Sequence, residues 1–369
     1  MIKSAFVYLS LMGMMIGSGN VLEKNQLNPE KNIPFLYMFL PCLLFAFVFG
    51  CRYGVGTDHL NYIAEYLYGR NRDVEPLFAF IESFFQSLNL HFAWFFGFIA
   101  FLQITLFLSA FKDRNLYPFL ILILFLGGRW LGWCNGIRQA TACCFFIFSI
   151  QFIEERKPLP YLLCCLLAYM FHRSAIILLP FYFIDKADFF KIKWLPWLVY
   201  IMAVVVARTS FINNYIEQYF SVVSEAFNYD EGYTTEQALT KLEYDTNEST
   251  GIGSLVSTGI TLITLSFMQP AKKFYDSKFF QIISNLYLIG LFGGVAFSGN
   301  VILTRPFGYF TVFGGVVTAY VLYYMFQGYN KKYEIWGYLL ILFELLTFIA
   351  IIYRGKLNTA EFHFFWEFV

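Results

Sequence analysis

The segment Ile335–Ile352, IWGYLLILFELLTFIAII, indicates the fold because it is a long apolar run with a single charged side chain, Glu344. About 20 consecutive apolar residues cross the hydrocarbon core of a bilayer as a helix. Similar uncharged runs occur along the whole chain, at residues 4–19, 33–50, 92–111, 117–133, 137–153, 159–171, 174–184, 194–207, 253–269, 279–297, 302–326 and 335–352. The sequence therefore predicts an all-α polytopic integral membrane protein with about 10 to 12 transmembrane helices.

The composition supports this fold class. The chain has 369 residues, of which 58% are hydrophobic and 14% are charged, whereas a soluble domain has about 25% charged residues. A globular core of this length cannot bury so much apolar surface. The net charge of +1 gives no indication of nucleic-acid binding. We predict a single transmembrane domain over residues 1–369, whose first run is a retained helix rather than a signal peptide.

Two of the apolar runs, 159–171 and 174–184, are too short to cross a bilayer comfortably. They are either two spans or one re-entrant hairpin, because non-helical backbone at membrane depth is tolerated where it lines a cavity.

Two long polar loops separate the runs, at residues 51–91 and 208–252. The second is acidic, with eight carboxylates against Arg208 and Lys241. When the loops are assigned alternately to the two sides of the membrane, one side holds 12 of the 15 Lys but only 2 of the 11 Arg. Lysine-rich loops are typical of the cytoplasmic side. Both long loops and both termini are therefore predicted to be periplasmic.

Arginine is concentrated on the periplasmic side, where membrane insertion does not require it. Five arginines stand at the outward ends of apolar runs or inside them, namely Arg52, Arg129, Arg138, Arg173 and Arg305. A guanidinium stays charged and offers planar paired donors that match phosphate oxygens. Together the five predict a shared site for an anionic lipid pyrophosphate. The alternative for each is that it contacts lipid headgroups or pairs with a loop carboxylate.

The first loop begins with a glycine-rich segment, Arg52-Tyr53-Gly54-Val55-Gly56-Thr57-Asp58. Its glycines would let the backbone approach a ligand closely. Asp58 is either a catalytic base or the N-cap of a following helix.

Three further ionisable residues are candidates. His172 is either a proton carrier or a structural hydrogen-bonding group, and Glu75 is a second acidic contact. Glu344, mid-helix and far in depth from the arginines, is a functional candidate or a protonated acid bonded to a neighbouring helix. The chain has four His without ligand spacing, so no metal site is predicted.

At these residues the chain resembles the EpsG family of polysaccharide biosynthesis proteins, which are relatives of the Wzy O-antigen and capsule polymerases. The matching pieces are Arg52–Asp58 with Asn61-Tyr62, Glu75-Pro76-Leu77-Phe78, Ile137-Arg138-Gln139, His172-Arg173-Ser174-Ala175, and Arg305-Pro306 with Tyr309-Phe310. They follow the family's order over most of the chain. The chain departs from the pattern at His59, where the family often has Tyr.

The resemblance implies a GT-C-like helical bundle in the bacterial inner membrane. It implies a metal-independent membrane glycosyltransferase without a cofactor. Such an enzyme moves a growing glycan, the O-antigen of lipopolysaccharide or a capsule, from undecaprenyl pyrophosphate to a new lipid-linked repeat unit at the periplasmic face. The implied partners are this lipid-linked oligosaccharide, membrane lipid, a flippase and a chain-length regulator, without nucleic acid.

The resemblance also distributes the candidate residues among roles. The five arginines would hold the pyrophosphate, and Asp58 or His172 would deprotonate the acceptor hydroxyl. The predicted glycan contacts are Glu75, Tyr62 and Tyr309.

Two other functions are compatible with the sequence. A lipid-linked oligosaccharide flippase would share the number of spans, but it would place charges at mid-depth in a central cavity. The third function is another lipid-linked sugar transferase, a ligase or an acyltransferase. A ligase would attach chains to lipid A core, and an acyltransferase would need a histidine in a polar pocket, for which only His172 is a candidate. The appearance of the surface glycan after gene deletion distinguishes these functions.

Overall fold

A computed structural model describes residues 1–25, 34–69, 74–111, 114–209, 251–298, 301–327 and 331–368. Its α-helices are α1 Ile2–Asn25, α2 Pro34–Gly50, α3 His59–Tyr68, α4 Pro76–Ser87, α5 Phe92–Ser109, α6 Tyr117–Leu126, α7 Trp130–Asn135, α8 Ile137–Glu154, α9 Pro158–Phe171, α10 Leu195–Arg208, α11 Ile252–Tyr275, α12 Lys278–Ala296, α13 Val301–Gln327 and α14 Glu334–Arg354. Short 3-10 helices cover Arg114–Leu116, Phe189–Lys191, Lys331–Tyr333, Lys356–Asn358 and Phe365–Glu367, and a long one covers Arg173–Lys186. Two short strands, β1 Arg52–Tyr53 and β2 His363–Phe364, pair antiparallel.

The chain is an all-α polytopic membrane protein. Five described helices are long and apolar enough to cross a membrane, namely Phe92–Ser109, Ile252–Tyr275, Lys278–Ala296, Thr304–Gln327 and Lys331–Arg354. Five shorter apolar helices accompany them, at Ile2–Ser18, Phe39–Gly50, Tyr117–Leu126, Pro158–Phe171 and Leu195–Arg208. Within the described residues, every predicted apolar run is largely helical, which confirms the predicted fold class. The acidic loop predicted at 208–252 lies outside the described residues except at its two ends.

The run 117–133 is not one continuous helix, contrary to the prediction. Helix α6 ends at Leu126 and α7 begins at Trp130, and Gly128 between them has φ 64°. The amides of Gly128 and Arg129 donate to the carbonyls of Phe125 and Leu124, at 3.0 Å each. These bonds close the end of α6 inside the bundle, so Arg129 stands at a helix break rather than at an outward helix end.

The short runs 159–171 and 174–184 form a hairpin of two different helices. Helix α9 has 14 residues and the 3-10 helix Arg173–Lys186 also has 14. A 3-10 helix rises about 2 Å per residue, so this one extends about 28 Å against about 21 Å for α9. The Tyr161 hydroxyl donates to the Leu178 carbonyl at 2.6 Å, which ties the two arms together. The chain reverses at His172, whose backbone is extended.

Both termini and the first loop meet at one end of the bundle. Strand β1 directly follows α2 and pairs with β2 near the C-terminus. Lys3 lies 2.5 Å from Glu367, and the Ser4 hydroxyl donates to the Ala360 carbonyl at 2.6 Å. These contacts agree with the predicted placement of both termini and the first loop on one side.

The other end of the bundle carries lysines and aspartates. Asp185 lies 3.5 Å from Arg156 and 3.8 Å from Lys278, and Asp188 lies 2.5 Å from Lys272. Helix α8 has 18 residues and about 27 Å of length. It runs from Arg138, near the first loop, to the turn that carries Arg156. The predicted cytoplasmic segments at 154–158, 185–193 and 270–278 therefore lie together.

Candidate functional site

Arg52 fastens the first loop to the helix bundle. Its side chain is 2% exposed. The guanidinium donates to the carbonyls of Phe49, Val55 (3.3 Å) and Cys134 (3.1 Å). A guanidinium surrounded by backbone carbonyls holds the end of α2, the loop and α7 together. This placement does not favour the predicted direct contact between Arg52 and pyrophosphate.

The two loop glycines have positive φ, 74° for Gly54 and 92° for Gly56. A Cβ on Gly56 would lie 2.8 Å from the Cys134 carbonyl, whereas none of the structure lies within 4 Å of a Cβ on Gly54. The close approach expected at the glycine-rich segment is therefore to the backbone of α7. The amide of Gly54 donates to His59 Nδ1 at 3.2 Å. His59, where the family often has Tyr, is therefore a buried residue that holds the loop.

Asn135, at the end of α7, positions Asp58. Asn135 Oδ1 accepts from the Thr57 hydroxyl at 2.9 Å and from the Asp58 amide at 3.1 Å. Asp58 occupies the N-cap position of α3, but its side chain makes no capping hydrogen bond. The capping alternative is thus not observed, and the role of Asp58 as a base stays a prediction.

Glu75 is the centre of the candidate site. Its carboxylate is buried, with 5% of the residue exposed. Oε2 accepts from Arg138 Nη1 at 2.7 Å, and Oε1 lies 2.9 Å from His172 Nδ1. Oε1 also accepts from the Arg173 amide at 3.3 Å. One carboxylate therefore joins three residues that the sequence separately nominated.

The ends of three helices bring these groups together. Glu75 is the N-cap of α4, and Pro76 at the first helical position fixes the direction in which the helix leaves. Arg138 is the second residue of α8, and His172 follows the last residue of α9. A residue at a helix end has a side chain free of the helix surface, so three such ends can converge on one point.

The surroundings of Glu75 keep it ionised. Burial alone would raise the pKa of the carboxyl group. The hydrogen bond from His172 and the charge of Arg138 outweigh burial and lower the pKa of Glu75 to about 2. Glu75 is therefore a fixed negative charge at neutral pH, which orients His172 and partly neutralises Arg138.

Helix α13 closes the site from another side. The hydroxyls of Ser174 and Tyr309 lie 3.0 Å apart, and Gln139 Nε2 donates to the Arg305 carbonyl at 2.8 Å. Tyr62, on α3, shares a side-chain hydrogen bond with Arg138. Glu75, Arg138, His172 and Arg173 together form the Glu75 cluster. The predicted residues Tyr62 and Tyr309 and the backbone of Arg305 border it.

The guanidinium of Arg173 is exposed and has no hydrogen-bond or ion-pair partner within the described ranges. Its backbone amide is fixed on Glu75, so the charged end reaches outward from an anchored residue. The side chain of Arg305 is half-buried and has an interaction of its own. Among the predicted arginines, Arg138 contacts Glu75 through its guanidinium and Arg173 through its backbone amide. Arg305 lies next to them.

Arg129 lies deeper in the bundle than Arg305. Its Cγ would be 3.3 Å from a Cβ on Gly315, which is ten residues along α13 from Arg305, or about 15 Å. Glu344 Oε2 and Arg129 Nε would lie 2.7 Å and 3.2 Å from the same Cβ on Gly127, so the two side chains are close to each other. Arg129 and Arg52 therefore do not join the Glu75 cluster. The sequence predicted that Glu344 lies far in depth from the group of five arginines. Arg129, a member of that group, is nevertheless close to Glu344, because the break between α6 and α7 carries Arg129 inward.

Three residues of the site were given no role in the sequence analysis, namely Asn135, Gln139 and Ser174, although the last two occur in the motifs shared with the EpsG family. Gln139 and Ser174 adjoin nominated residues in short polar interruptions of apolar runs, which is the one signal that points to them. Within the seven described ranges, no group of three or more His, Cys, Asp or Glu side chains is arranged to hold a metal ion.

The fold and the site define a class of protein, a polytopic membrane protein with a carboxylate, a histidine and arginines gathered at one end of its helix bundle. The chain belongs to the EpsG family, whose model matches residues 35–365, nearly the whole chain. EpsG-type proteins are Wzy-like polymerases. No curated protein and no solved structure matched the chain, so the GT-C-like architecture stays a prediction.

Proposed function

We propose that this protein polymerises a polysaccharide at the periplasmic face of the bacterial inner membrane. It transfers a growing glycan, O-antigen or capsule, from undecaprenyl pyrophosphate to a new lipid-linked repeat unit, without a metal ion. The observation that carries this proposal is the Glu75 carboxylate, which binds both His172 and Arg138. The guanidinium of Arg173, which has no partner among the described residues, lies beside it. A histidine next to fixed cations supports a role for this cluster in proton and phosphate chemistry.

His172 is the proposed general base. Its Nδ1–H donates to Glu75, which leaves Nε2 to accept a proton. The side chain is 26% exposed, so a substrate hydroxyl can approach it. The acceptor hydroxyl of the new unit loses its proton to Nε2 as its oxygen attacks the anomeric carbon of the growing chain. A carboxylate behind the imidazole stabilises the imidazolium that forms.

The arginines are proposed to stabilise the negative charge of the departing pyrophosphate. The bond between the anomeric carbon and the pyrophosphate oxygen breaks, and undecaprenyl pyrophosphate departs with its electron pair. Arg173 provides a guanidinium that has no partner among the described residues, and Arg138 and Arg305 add positive charge nearby. Preorganised cations stabilise such charge with little rearrangement during the reaction.

Asp58 is a second candidate for the base, since Asn135 holds its amide at the edge of the same segment that leads to Arg138.

Tyr62 and Tyr309 are the proposed glycan contacts, because aromatic faces pack well against sugar rings. The acidic loop at 208–252 is proposed to cover the glycan. A flippase that supplies repeat units and a chain-length regulator are the proposed protein partners.

The test is deletion of the gene followed by complementation with single variants, read as a gel of the surface glycan. His172→Gln keeps the size of the side chain but lacks a basic nitrogen, so we expect loss of the glycan ladder while single repeat units remain at the surface. Asp58→Asn in the same assay decides between the two bases.

The chain provides a matched control in His363, whose Nδ1 lies 3.1 Å from Glu367 in a similar but more exposed pair. His363→Gln is expected to give a normal ladder. A normal ladder in His172→Gln and Asp58→Asn, at equal amounts of protein in the membrane, would contradict the proposed mechanism. Repeat units left facing the cytoplasm after deletion would indicate a flippase, and intact chains not attached to lipid A core would indicate a ligase.

A further inference from the structure

An apolar groove lies between α2 and α5, at the end of the bundle that carries the first loop. Its volume is about 660 Å³, and pockets that bind small organic molecules have about 300–1,000 Å³. The groove begins at Cys51 and His91 and reaches Leu43 and Phe101. Leu43 lies eight residues before Cys51, so the groove extends about 12 Å along α2 towards the middle of the membrane. Apart from Cys51 and His91, the described residues that line it are apolar.

Small residues create the space. Ala46, Ala93 and Gly97 line the groove where α2 and α5 approach each other. A Cβ on Gly50 would lie 2.6 Å from Gly97 Cα, so the two backbones are in contact at this crossing. The larger side chains stand on either side of this line of small residues and form the walls.

The C-terminal segment covers the loop end of the groove. The rings of Phe47 and Trp366 lie 6.2 Å apart, and those of His91 and Phe365 lie 4.3 Å apart. The amide of Phe365 donates to the Cys51 carbonyl at 3.0 Å. The segment therefore passes from α2 to α5 across the end of the groove that is nearest to the aqueous phase.

The open side of the groove faces the surrounding lipid. Phe47 on α2 and Trp94 and Phe98 on α5 line the groove and are exposed. Helix α5 is one of the helices long and apolar enough to cross a membrane, so its exposed apolar side chains contact hydrocarbon. An apolar groove that opens at this depth is suited to a lipid chain.

Helix α4 connects the groove with the Glu75 cluster. Phe85 on α4 lines the groove, and its ring lies 5.6 Å from that of Phe98. Phe85 is ten residues from Glu75, or about 15 Å along the helix. The described residues that line the groove include no Lys or Arg, whereas Arg138 and Arg173 belong to the cluster.

This separation favours one kind of lipid. A phospholipid carries two chains directly beside its phosphate, so a phospholipid chain in the groove would leave the phosphate away from the guanidinium groups. A lipid with a single long chain can place its anionic head at the Glu75 cluster and a more distant part of its chain in the groove. A polyprenyl pyrophosphate has this form.

We infer that the groove binds the polyprenyl chain of the lipid-linked substrate while the pyrophosphate lies at the Glu75 cluster. The inference rests on the proposed function and adds to it the place of the lipid chain. Burial of the chain in the groove contributes affinity in proportion to the apolar area covered. Affinity should therefore depend on the length of the chain as well as on the pyrophosphate.

Ala93→Leu tests the groove, because the added carbon atoms enter its space and the backbone amide can still donate to His91 Nδ1. The Kd of the full-length protein in lipid nanodiscs is measured for undecaprenyl pyrophosphate and for geranyl pyrophosphate, whose chain is too short to reach the groove from the Glu75 cluster. In Ala93→Leu the Kd for undecaprenyl pyrophosphate should rise about tenfold or more. The Kd for geranyl pyrophosphate should change by less than about twofold. Arg173→Gln should weaken the binding of both.

Ala207→Leu is the matched control, because it makes the same substitution at an exposed position of another apolar helix, α10. It should leave both Kd values unchanged, and thermal unfolding in nanodiscs should give both Leu variants the Tm of the wild type. An unchanged Kd for undecaprenyl pyrophosphate in Ala93→Leu would overturn the inference. An equal loss of affinity for the two pyrophosphates would also overturn it.

The wild-type protein provides a measurement that needs no variant to fold. Cys51 lines the groove and is partly exposed, whereas the other six cysteines are buried. Undecaprenyl pyrophosphate should slow the alkylation of Cys51 by N-ethylmaleimide, followed by peptide mass spectrometry, and geranyl pyrophosphate should not. Absence of protection would overturn the inference, and equal protection by added phosphatidylglycerol would assign the groove to ordinary bilayer lipid instead.

The outcomes separate this inference from the proposed function. A protein that makes a normal glycan ladder but gives no chain-dependent binding or protection would contradict the inference alone. A protein that binds undecaprenyl pyrophosphate in the groove, but whose deletion leaves the ladder intact, would contradict the proposed polymerase function alone.

Discussion

Glu75 and His172, 97 residues apart in the sequence, are joined by a 2.9 Å contact between Oε1 and Nδ1. Because Glu75 is ionised and buried, it determines which ring nitrogen of His172 carries the hydrogen. The other carboxyl oxygen is bound to Arg138 at 2.7 Å. The geometry links a carboxylate, an imidazole and a guanidinium, and each can be removed separately.

Glu75→Gln should abolish the glycan ladder and destabilise the protein. The amide keeps the shape but leaves the buried Arg138 without a counter-charge, at a cost of about 3 kcal/mol in the free energy of unfolding. The measurements are the surface-glycan gel and thermal unfolding in nanodiscs. Glu367→Gln is the control, since its contacts to Lys3 and His363 are exposed and screened by solvent. Equal ladders in both variants would refute the role of Glu75.

The stability contributed by Glu75 should depend on pH in a defined direction. Its pKa is lowered from 4.5 to about 2 in the folded protein. A lowered carboxyl pKa stabilises the folded state above pH 4.5, and the stabilisation is lost as the pH falls towards 2. It amounts to about 3 kcal/mol. The difference in unfolding free energy between wild type and Glu75→Gln should be smaller at pH 3 than at pH 5. A difference that grows on acidification would show that Glu75 is not held ionised.

Arg52→Lys should destabilise the fold although it conserves the charge. An ammonium group cannot reproduce the planar set of donors that reaches Val55 and Cys134. Each hydrogen bond from a charged donor contributes about 1.5–3 kcal/mol, so we expect a loss of about 3 kcal/mol in chemical unfolding. Arg156→Lys is the matched control, because Arg156 is 77% exposed and lies 3.5 Å from Asp185. If Arg52→Lys unfolds like the wild type but fails to make polymer, Arg52 contacts substrate after all.

Gly56→Ala should cost more stability than Gly54→Ala. Both residues have positive φ, which costs a residue with a Cβ about 1–2 kcal/mol. Only Gly56 also faces a carbonyl, that of Cys134, at 2.8 Å from the added Cβ, and such overpacking adds about 1–3 kcal/mol. Thermal unfolding of the two variants side by side measures the difference. Equal losses would mean that the loop does not pack against α7 in this way.

Tyr309→Phe and Ser174→Ala should show coupled effects. The two hydroxyls lie 3.0 Å apart, so removing either one breaks the same contact between α13 and the start of the 3-10 helix. The double variant should therefore lose about 1 kcal/mol less than the sum of the single losses. Tyr275→Phe, which removes a hydroxyl bonded to the Tyr320 carbonyl at 2.7 Å, should show no coupling with Ser174→Ala. If the losses in unfolding free energy for Tyr309→Phe and Ser174→Ala are additive, the two hydroxyls do not contact each other and α13 does not border the site in this way.

The fold class could be predicted from the sequence, whereas only some residues of the site could be. Arg138, His172 and Glu75 were predicted as separate candidates, because an arginine or histidine at or between apolar runs is conspicuous and Glu75 stands directly before the proline that restarts helical structure. The sequence did not indicate that Glu75 joins the other two. Gln139, Ser174 and Asn135 were missed because uncharged polar residues near helix ends are common. Arg52 and Arg129 were assigned to a shared site, since the sequence alone cannot distinguish a guanidinium that binds carbonyls from one that faces a ligand.

The amino-acid sequence by itself determined that this chain is a bundle of membrane helices, because the length of an apolar run and its preference for lipid are local properties. Tertiary structure decided which charged groups meet. Glu75 reaches His172 and Arg138, and Glu344 approaches Arg129, across separations that no local pattern encodes. The break at Gly127–Arg129 also follows from packing against α13 and α14. The physical reason is that desolvation obliges each buried charge to find a partner, whereas the identity of that partner depends on how distant segments are brought together.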